Sequence, residues 1–534
     1  MKKTFRYFSM AALAMMGTIL MGCAENDLTT ETTQPNDHRS NTVTLTIGFA
    51  ESAQTRALSA SGVKTFKAGD QVALIFKNIN KEYVKVESDP IDAADISDDG
   101  KRAKINVDLG DRPNINADAR LIYPASMAKI TIAKGAETYD DDSTIDFSKL
   151  AAQDGTLESL GDKLDVCTYD RALNIMELDK DKGAKMPLLT NRLAIGAFTI
   201  KDDNGTDITS DVKHLTISDG TNSYIIDRTP AAGPIYVAMR PVVNKDFELT
   251  ALTSTTPYIK NVSGQTLTAG SLYPINVKME IDKGLCTPLT IEALTDGSIT
   301  VTNGHMNMKY SVNGGEKQLV STFSNHFLNV NKGDKVAFYG PDPYWGDTKI
   351  GGTGSMKVYG NIMSLVNETD FASITTLTEN LAFHNLFGID SNSQNVNMML
   401  TDASGLRLPA TTLTERCYQG MFYKCVNLTA APEKLPATKL ANFCYQSMFE
   451  GCYKLTTAPK LPATELKDYC YSRMFYDCRQ LNSVTCLATD ISAQYCIYDW
   501  LKDAGTNTPN PTLHVTSSMS RADWRTSWTV VGDQ

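Results

Sequence analysis

The C-terminal part of the chain contains a unit that runs from Leu408 to Leu428 and reads LPATTLTERCYQGMFYKCVNL. Its Leu-Pro-Ala-Thr start recurs at Leu435 and Leu461, and a shortened Leu-Ala-Thr follows at Leu487, at intervals of 27, 26 and 26 residues. Self-similarity at such a fixed period is typical of proteins built from stacked repeats. The sequence therefore predicts a repeat solenoid over residues 376–505.

Cysteine, methionine and aromatic residues keep the same register in each copy. Cys417, Met421 and Cys425 are four residues apart, which places them on one face of a short helix, so we expect short helices in the solenoid. The form Cys-Tyr-x-x-Met-Phe-x-x-Cys-x-x-Leu resembles the leucine-rich repeats of the bacterial surface antigen type. The predicted repeat core is Cys417, Met421, Phe422, Cys425, Cys444, Met448, Phe449, Cys452, Cys470, Met474, Phe475, Cys478 and Cys496.

The chain has 11 cysteines, a number that would suit a disulfide-rich secreted protein, but eight of them lie between Cys417 and Cys496. Cys417 and Cys425 would be ~12 Å apart along a helix, too far for a disulfide. We expect a ladder of buried thiols, with disulfides between neighbouring copies as the alternative. The spacing does not match a zinc site, so no metal and no cofactor is predicted. Cys167 and Cys286 are isolated and are expected to be buried.

The N-terminus has the pattern of an export signal. Basic residues precede an apolar stretch of roughly 14 residues, which is too short to span a membrane. It ends in Leu20-Met21-Gly22-Cys23, which resembles the lipobox of bacterial lipoproteins. That resemblance implies a signal peptide over 1–22, acyl chains such as palmitate on Cys23 and anchoring at the outer membrane, whereas the alternative is an ordinary secretory signal. Residues 23–41 are polar and predict a flexible tether.

The middle of the chain predicts short strands. Val43, Leu45, Ile47 and Phe49 alternate with small or polar residues, as in a strand with one buried face. Similar runs separated by Gly, Asn and Asp favour β-sandwiches over helical architecture. These runs are Ile105–Leu109, Leu121–Tyr123, Leu193–Ile200, His214–Ile217, Ile235–Met239 and Tyr273–Met279.

Residues 23–282 resemble the fimbrillin family, pilin-like surface lipoproteins of protease-processed pili. The resemblance implies two β-sandwich halves in series, over 42–180 and 181–283. It rests on the order of the lipobox, the first strand, the turn Phe66–Asp70, Tyr123-Pro124, the strand Arg192–Ile200 and the closing strand Gly270–Met279.

Gln54-Thr55-Arg56-Ala57 follows the first strand closely. In the resembled family, a trypsin-like protease cuts after an arginine at this kind of position and removes the lipidated segment with the first strand. Loss of an edge strand would leave unpaired backbone groups, which a strand of another pilus subunit could fill. The resemblance thus implies processing between Arg56 and Ala57, whereas the alternative is a plain surface arginine.

Residues 284–375 predict an immunoglobulin-like β-sandwich, with a hairpin turn at Asn313-Gly314-Gly315. Gly351–Ser355 is glycine-rich, but it lacks the Gly-Lys-Ser/Thr ending of a phosphate loop, so we expect an ordinary loop. Residues 506–534 lose the repeat period. They predict a C-terminal cap, with Trp524 and Trp528 as lids over the last repeat.

Charge and motif content exclude several function classes. The net charge of −10 argues against nucleic-acid binding. The sequence has no His-Glu-x-x-His motif, no Gly-x-Ser-x-Gly elbow and no P-loop, so no enzyme is predicted.

The sequence thus predicts a mostly β protein with two fimbrillin-like halves, an immunoglobulin-like sandwich and a leucine-rich-repeat solenoid. We expect a surface-exposed outer-membrane lipoprotein, a pilus (fimbria) tip or accessory subunit that mediates cell adhesion through its repeats. Expected partners are other pilus subunits and a host or bacterial surface protein or glycan. A permanently lipid-anchored binding protein outside any fibre is the alternative, and a glycan-binding accessory of nutrient uptake is a third. Exposed repeat positions such as Gln419, Gln446 and Ser472 carry no recognisable ligand code.

Overall fold

The computed structural model describes residues 41–50, 64–110, 113–132, 135–169, 173–178, 186–321, 325–340, 346, 348–388, 399–516, 519 and 528–532. The predicted signal peptide, Cys23, Arg56, Ala57 and Trp524 lie outside these residues. The described residues from Thr42 onward form one compact unit.

The first nine strands are β1 (Thr42–Phe49), β2 (Ala73–Lys77), β3 (Tyr83–Glu87), β4 (Arg102–Asp108), β5 (Asp118–Tyr123), β6 (Ala152–Gln153), β7 (Cys167–Thr168), β8 (Leu173–Asn174) and β9 (Leu188–Asn191). All but β6 form one sheet in the order β3-β2-β5-β7-β9-β1-β4, with β8 paired to β5. A bridge between Ser88 and Val107 joins the two ends of this order. The sheet therefore bends around a core that includes Leu45, Ile47 and Phe76, all fully buried.

The predicted first strand is confirmed as β1, but the expectation that it is an edge strand is wrong. β1 pairs antiparallel with β4 over seven residue pairs, and Gly48 and Phe49 pair in parallel with Leu188 and Leu189 of β9. A strand from more than 130 residues downstream thus pairs with the C-terminal end of β1 on its second side, and local sequence carries no signal for such a long-range pairing.

Among the described residues, helices are few and short, which confirms the mostly β expectation. They are α1 (Asp141–Thr144), α2 (Leu157–Ser159), α3 (Ile175–Leu178) and α4 (Lys283–Cys286), with 3₁₀ or π turns at Ala93–Asp95, Ala125–Met127, Phe147–Ala151, Leu160–Leu164, Thr209–Asp211, Ile362–Leu365 and Phe371–Ser373. In the described part of the chain, no helix has the length and apolar character needed to cross a membrane.

The next strands are β10 (Ala194–Lys201), β11 (His214–Ser218), β12 (Ser223–Asp227), β13 (Ile235–Met239), β14 (Val242–Leu252), β15 (Pro257–Leu267), β16 (Leu272–Lys278) and β17 (Glu280–Ile281). They form a sheet β13-β10-β16 and a sheet β17-β15-β14-β11-β12-β6, with a shared core between them. The strand pairing does not follow the predicted boundary between the two halves at residue 180. β6, which precedes this boundary, pairs in the second part, and β9, which follows it, pairs in the first.

The third part contains β18 (Thr290–Ala293), β19 (Gly297–Thr302), β20 (Lys309–Val312), β21 (Gln318–Leu319), β22 (His326–Val330), β23 (Lys335–Tyr339), β24 (Lys349–Thr353) and β25 (Met356–Asn361). Its sheets are β21-β20-β23-β18-β25 and β22-β19-β24. The expected loop at Gly351–Ser355 is wrong for Gly351 and Gly352, which lie in β24, whereas Gly354 and Ser355 do lie between β24 and β25. A Cβ on Gly352 would lie 1.9 Å from the main-chain oxygen of Ser298, so glycine here permits close approach of the β19 backbone.

The repeat region continues directly from this third part. Its strands are β26 (Leu400–Asp402), β27 (Leu406–Arg407), β28 (Ser483–Cys486), β29 (Thr512–Val515) and β30 (Thr529–Val531), and β25 pairs in parallel with both β26 and β27. Parallel bridges then link Asp402, Ala430, Thr457 and Ser483 in succession, one per repeat. One apolar core runs from Leu289 to Trp528, so the sandwich covers the first repeat as a cap would.

The expected short helices in the repeats are wrong, since residues 399–516 contain none. Each copy instead forms a run of tight turns, in which every fourth residue has a positive φ, as at Arg416 (58°), Gly420 (61°) and Lys424 (56°). Alternate main-chain N–H groups donate hydrogen bonds within the copy, as Met421 N does to the Tyr418 main-chain oxygen (3.2 Å). The N–H groups between them donate to the next copy, as Phe422 N does to the Met448 main-chain oxygen (2.9 Å). A burial period of four is close to the helical 3.6, which explains the mistaken prediction.

Candidate functional site

The best-defined surface of the repeat region is the outer side of four turn ribbons, at 414–425, 441–452, 467–478 and 493–504. We call their outward side chains the turn face. Backbone hydrogen bonds between ribbons repeat with the same register, for example Tyr418 N to the Cys444 oxygen (3.0 Å) and Tyr445 N to the Cys470 oxygen (3.1 Å). Equivalent side chains are therefore stacked in ladders along the region.

The inner side of the ribbons is closely packed. Phe387, Phe422, Phe449 and Phe475 form a stack with centroids 5.5, 5.3 and 5.6 Å apart. Stacked rings of this kind contribute ~0.5–1.5 kcal/mol each beyond their area burial. The 13 residues predicted as repeat core are all buried, and they are Cys417, Met421, Phe422, Cys425, Cys444, Met448, Phe449, Cys452, Cys470, Met474, Phe475, Cys478 and Cys496.

The repeat cysteines are free thiols in the structure. Cys425, Cys452 and Cys478 donate to the main-chain oxygens of Phe387, Phe422 and Phe449, at 3.3, 3.2 and 3.1 Å. Each thiol thus bonds the preceding copy. Burial raises the pKa of Cys417 and of Cys486 to about 12, and it also raises the pKa of the other ladder thiols, which keeps them protonated and unreactive.

The two isolated cysteines differ from each other. Cys167 is buried, as expected, but the expectation for Cys286 is wrong because Cys286 is exposed. It is the last residue of the short helix α4, which joins the second part to the third. Hydrophobic composition alone therefore does not predict the environment of a linker cysteine.

An aromatic ladder lies on the turn face. The Arg416 guanidinium lies 4.3 Å from the Phe443 ring centre, Phe443 stacks on Tyr469 at 4.8 Å, and Tyr469 lies 5.1 Å from Tyr495. Tyr498 meets Tyr495 edge-on at 5.7 Å. Tyr495 and Tyr498 are each 51% exposed. The open aromatic surface is therefore concentrated on the last ribbon, because the inner rings of the ladder cover each other.

An ion pair with one buried partner, Glu450, adjoins the ladder. Arg473 donates to both carboxylate oxygens of Glu450, at 2.9 and 2.5 Å, and its guanidinium lies 4.1 Å from the Tyr476 ring centre. Glu450 is only 7% exposed. The hydrogen bond and charge of Glu450 raise the pKa of Arg473. The pair fixes the second ribbon to the third and holds a cation on the turn face.

The sequence analysis did not predict the aromatic ladder, and it predicted the wrong exposure for Ser472. Gln419 donates to Gln446 and both are partly exposed, but Ser472 is 1% exposed, so its predicted exposure is wrong. The missed signal is an aromatic residue directly before a ladder cysteine in three successive copies, Phe443, Tyr469 and Tyr495.

A second site of interest surrounds the end of β1. Phe49, its last residue, stacks on Phe66 at 4.3 Å and meets Tyr123 edge-on at 5.6 Å. Phe49 and Phe66 therefore meet from either side of the stretch that contains Arg56 and Ala57, both outside the described residues. Removal of β1 would open a slot between β4 and β9 and would empty the core positions that Val43, Leu45 and Ile47 fill.

The end of the repeat region is covered. Trp528 is 6% exposed and its Nε1 donates to the Ala504 oxygen at 3.3 Å, while β29 and β30 extend the parallel stack beyond β28. Within the described ranges, no group of three or more His, Cys, Asp or Glu side chains is placed to hold a metal ion.

No family model and no curated protein matches this chain. Among solved structures, a candidate cell adhesion protein from Bacteroides fragilis NCTC 9343 is 11% identical, over 45% of this chain and 93% of that chain, with a TM-score of 0.27. A fimbrial protein from Bacteroides ovatus ATCC 8483 is 13% identical, over 42% of this chain and 48% of that chain, with a TM-score of 0.22. The pilus adhesin SpaC from Lactobacillus rhamnosus GG is 10% identical, over 60% of this chain and 40% of that chain, with a TM-score of 0.19. TM-scores of this size do not establish a shared fold.

Proposed function

We propose that this protein is a cell-surface lipoprotein, a tip or accessory subunit of a pilus, which mediates adhesion through the turn face of leucine-rich repeats. The observation that carries the proposal is the aromatic ladder from Arg416 to Tyr498, on ribbons that backbone hydrogen bonds hold in a fixed register. Tyrosine and arginine are enriched where binding energy concentrates in interfaces, and stacked repeats suit extended contacts. The ligand is a protein or glycan of a host or bacterial surface.

The connectivity of the second part supports an end or accessory position. β16 pairs in parallel with β10, and the chain passes directly through β17 and α4 into the third part. This strand is therefore held at both ends and is not available to enter another subunit. The slot beneath β1 is a different case, because it would accept a strand from a neighbouring subunit if β1 were removed.

The mature N-terminus tests the assembly half of the proposal. Protein released from the bacterial surface would be digested, and its N-terminal peptide identified by mass spectrometry. We expect a fibre-associated form that starts at Ala57, and its conversion should stop in an Arg56→Ala variant. Recovery of lipidated Cys23 alone, with no Ala57 form in any fibre fraction, would instead establish the permanently anchored binding protein.

A further inference from the structure

A lysine is buried against an aspartate beside the first sheet. The Lys64 side chain is 7% exposed and that of Asp165 is fully buried, with Nζ 3.1 Å from Oδ2. Nζ also donates to the Asp165 main-chain oxygen and lies 3.5 Å from the Cys167 sulfur. These contacts join two segments that are 101 residues apart in sequence.

Aromatic rings enclose the pair. Nζ lies 4.6 Å from the Tyr123 ring centre and 5.5 Å from that of Phe49, and Phe66 stacks on Phe49. Two charges removed from water in this way carry a large desolvation cost. A neutral amide between the same two side chains would remove both charges, and its remaining N–H would keep the Asp165 main-chain oxygen within reach.

We propose that Lys64 and Asp165 condense into an intramolecular isopeptide bond. The Lys64 ammonium passes one proton to the Asp165 carboxylate, and the neutral amine attacks Cγ of Asp165, so that a C–N bond forms and one carboxyl C–O bond breaks. Two ammonium protons leave with that oxygen as water, so an ammonium and a carboxylate become an amide and one water without an oxidant or co-reactant. Fixed contact between two groups raises their effective concentration by many orders of magnitude, which favours this step inside the fold and not in the unfolded chain.

The bond would link the segment that follows Arg56 covalently to the segment that leads into β7 of the first sheet. Lys64 is the first described residue after the stretch that holds Arg56, and Asp165 precedes β7. A chain cut after Arg56 would keep its new N-terminal segment tied to the sheet while β1 is lost. The proposal does not depend on that cut, because the pair is complete in the uncut chain.

Intact-mass spectrometry of the purified, denatured chain tests the bond. We expect a mass lower than that of the sequence by one water, and a branched peptide that joins the segments around residues 64 and 165 after digestion. A Lys64→Arg variant keeps the positive charge without a nucleophilic amine and should show the full sequence mass. The exposed pair Lys67–Asp162, with side chains 58% and 41% exposed, is an internal control that should give no branched peptide.

A wild-type chain with the full sequence mass, from which both segments are recovered as linear peptides, would overturn the proposal. This measurement needs no variant, so poor folding of Lys64→Arg would not affect it. A loss of one water that maps to another pair of residues would also refute the assignment.

Discussion

Gly351 and Gly352 are neighbours in β24, and only Gly351 has room for a side chain. A Cβ on Gly351 would meet no atom within 4 Å, whereas on Gly352 (φ +149°) it would lie 1.9 Å from the Ser298 oxygen. Gly352→Ala should therefore destabilise the chain by at least about 2 kcal/mol, and Gly351→Ala should change stability by less than about 0.5 kcal/mol. Urea unfolding of both variants tests this, and equal midpoints would contradict it.

Thiol accessibility gives a second test of single residues. Cys286 is exposed and the other nine described cysteines are buried. In a chain that begins at Ala24, one thiol should react quickly with a disulfide reagent, and ten should react after denaturation. Cys286→Ser should abolish the fast reaction. Fast labelling of several repeat cysteines in the folded chain would show that these thiols are not buried and would contradict the prediction.

Two buried thiols of the repeat region, Cys417 in the first turn ribbon and Cys486 in β28, lead us to expect a loss of stability in alkali. The thiols of Cys417 and Cys486 have an ordinary pKa of 9.0, which burial raises to about 12 in the fold. Between these values the unfolded chain binds fewer protons than the folded one, so stability is complete below pH 9 and falls as pH rises. The slope is up to ~1.4 kcal/mol per pH unit for each thiol. Urea midpoints at about pH 8 and about pH 10 measure it, and Cys417→Ala should reduce the slope; a midpoint independent of pH would contradict this prediction.

The elements show how far sequence patterns reach. Alternation at Val43–Phe49 predicts β1 because a half-buried strand repeats every two residues. Its position between β4 and β9 depends on pairing with distant residues, which alternation does not encode. The repeat period predicts stacking and the buried positions in each copy. It does not predict the ribbon itself, because a four-residue burial period is shared by helices and by turns with a positive φ at every fourth residue.

Across the whole molecule, the third part and the repeats share one core. Met356 in β25 pairs with Leu400 in β26, and both are fully buried. A fragment of residues 376–534 would expose this surface and should unfold without a sharp transition, whereas 284–534 should unfold cooperatively. Circular dichroism during thermal unfolding compares the two. A sharp transition of 376–534 at the temperature of the longer fragment would show that the repeats need no sandwich cap.

The proposed function depends on binding of the partner surface by the turn face, and adhesion by a double variant is the sharpest test of it. Tyr495→Ala/Tyr498→Ala removes the two half-exposed rings of the ladder, while Phe327→Ala removes a 66% exposed ring from the sandwich as a matched control. Cells that display each chain at equal density would be counted on host-cell, matrix and polysaccharide surfaces that retain the wild type. We expect the double variant to lose at least about tenfold in attachment, the equivalent of one or two hot-spot residues, and Phe327→Ala to attach like the wild type. Equal attachment of the wild type and the double variant would show that the turn face is not the adhesive surface.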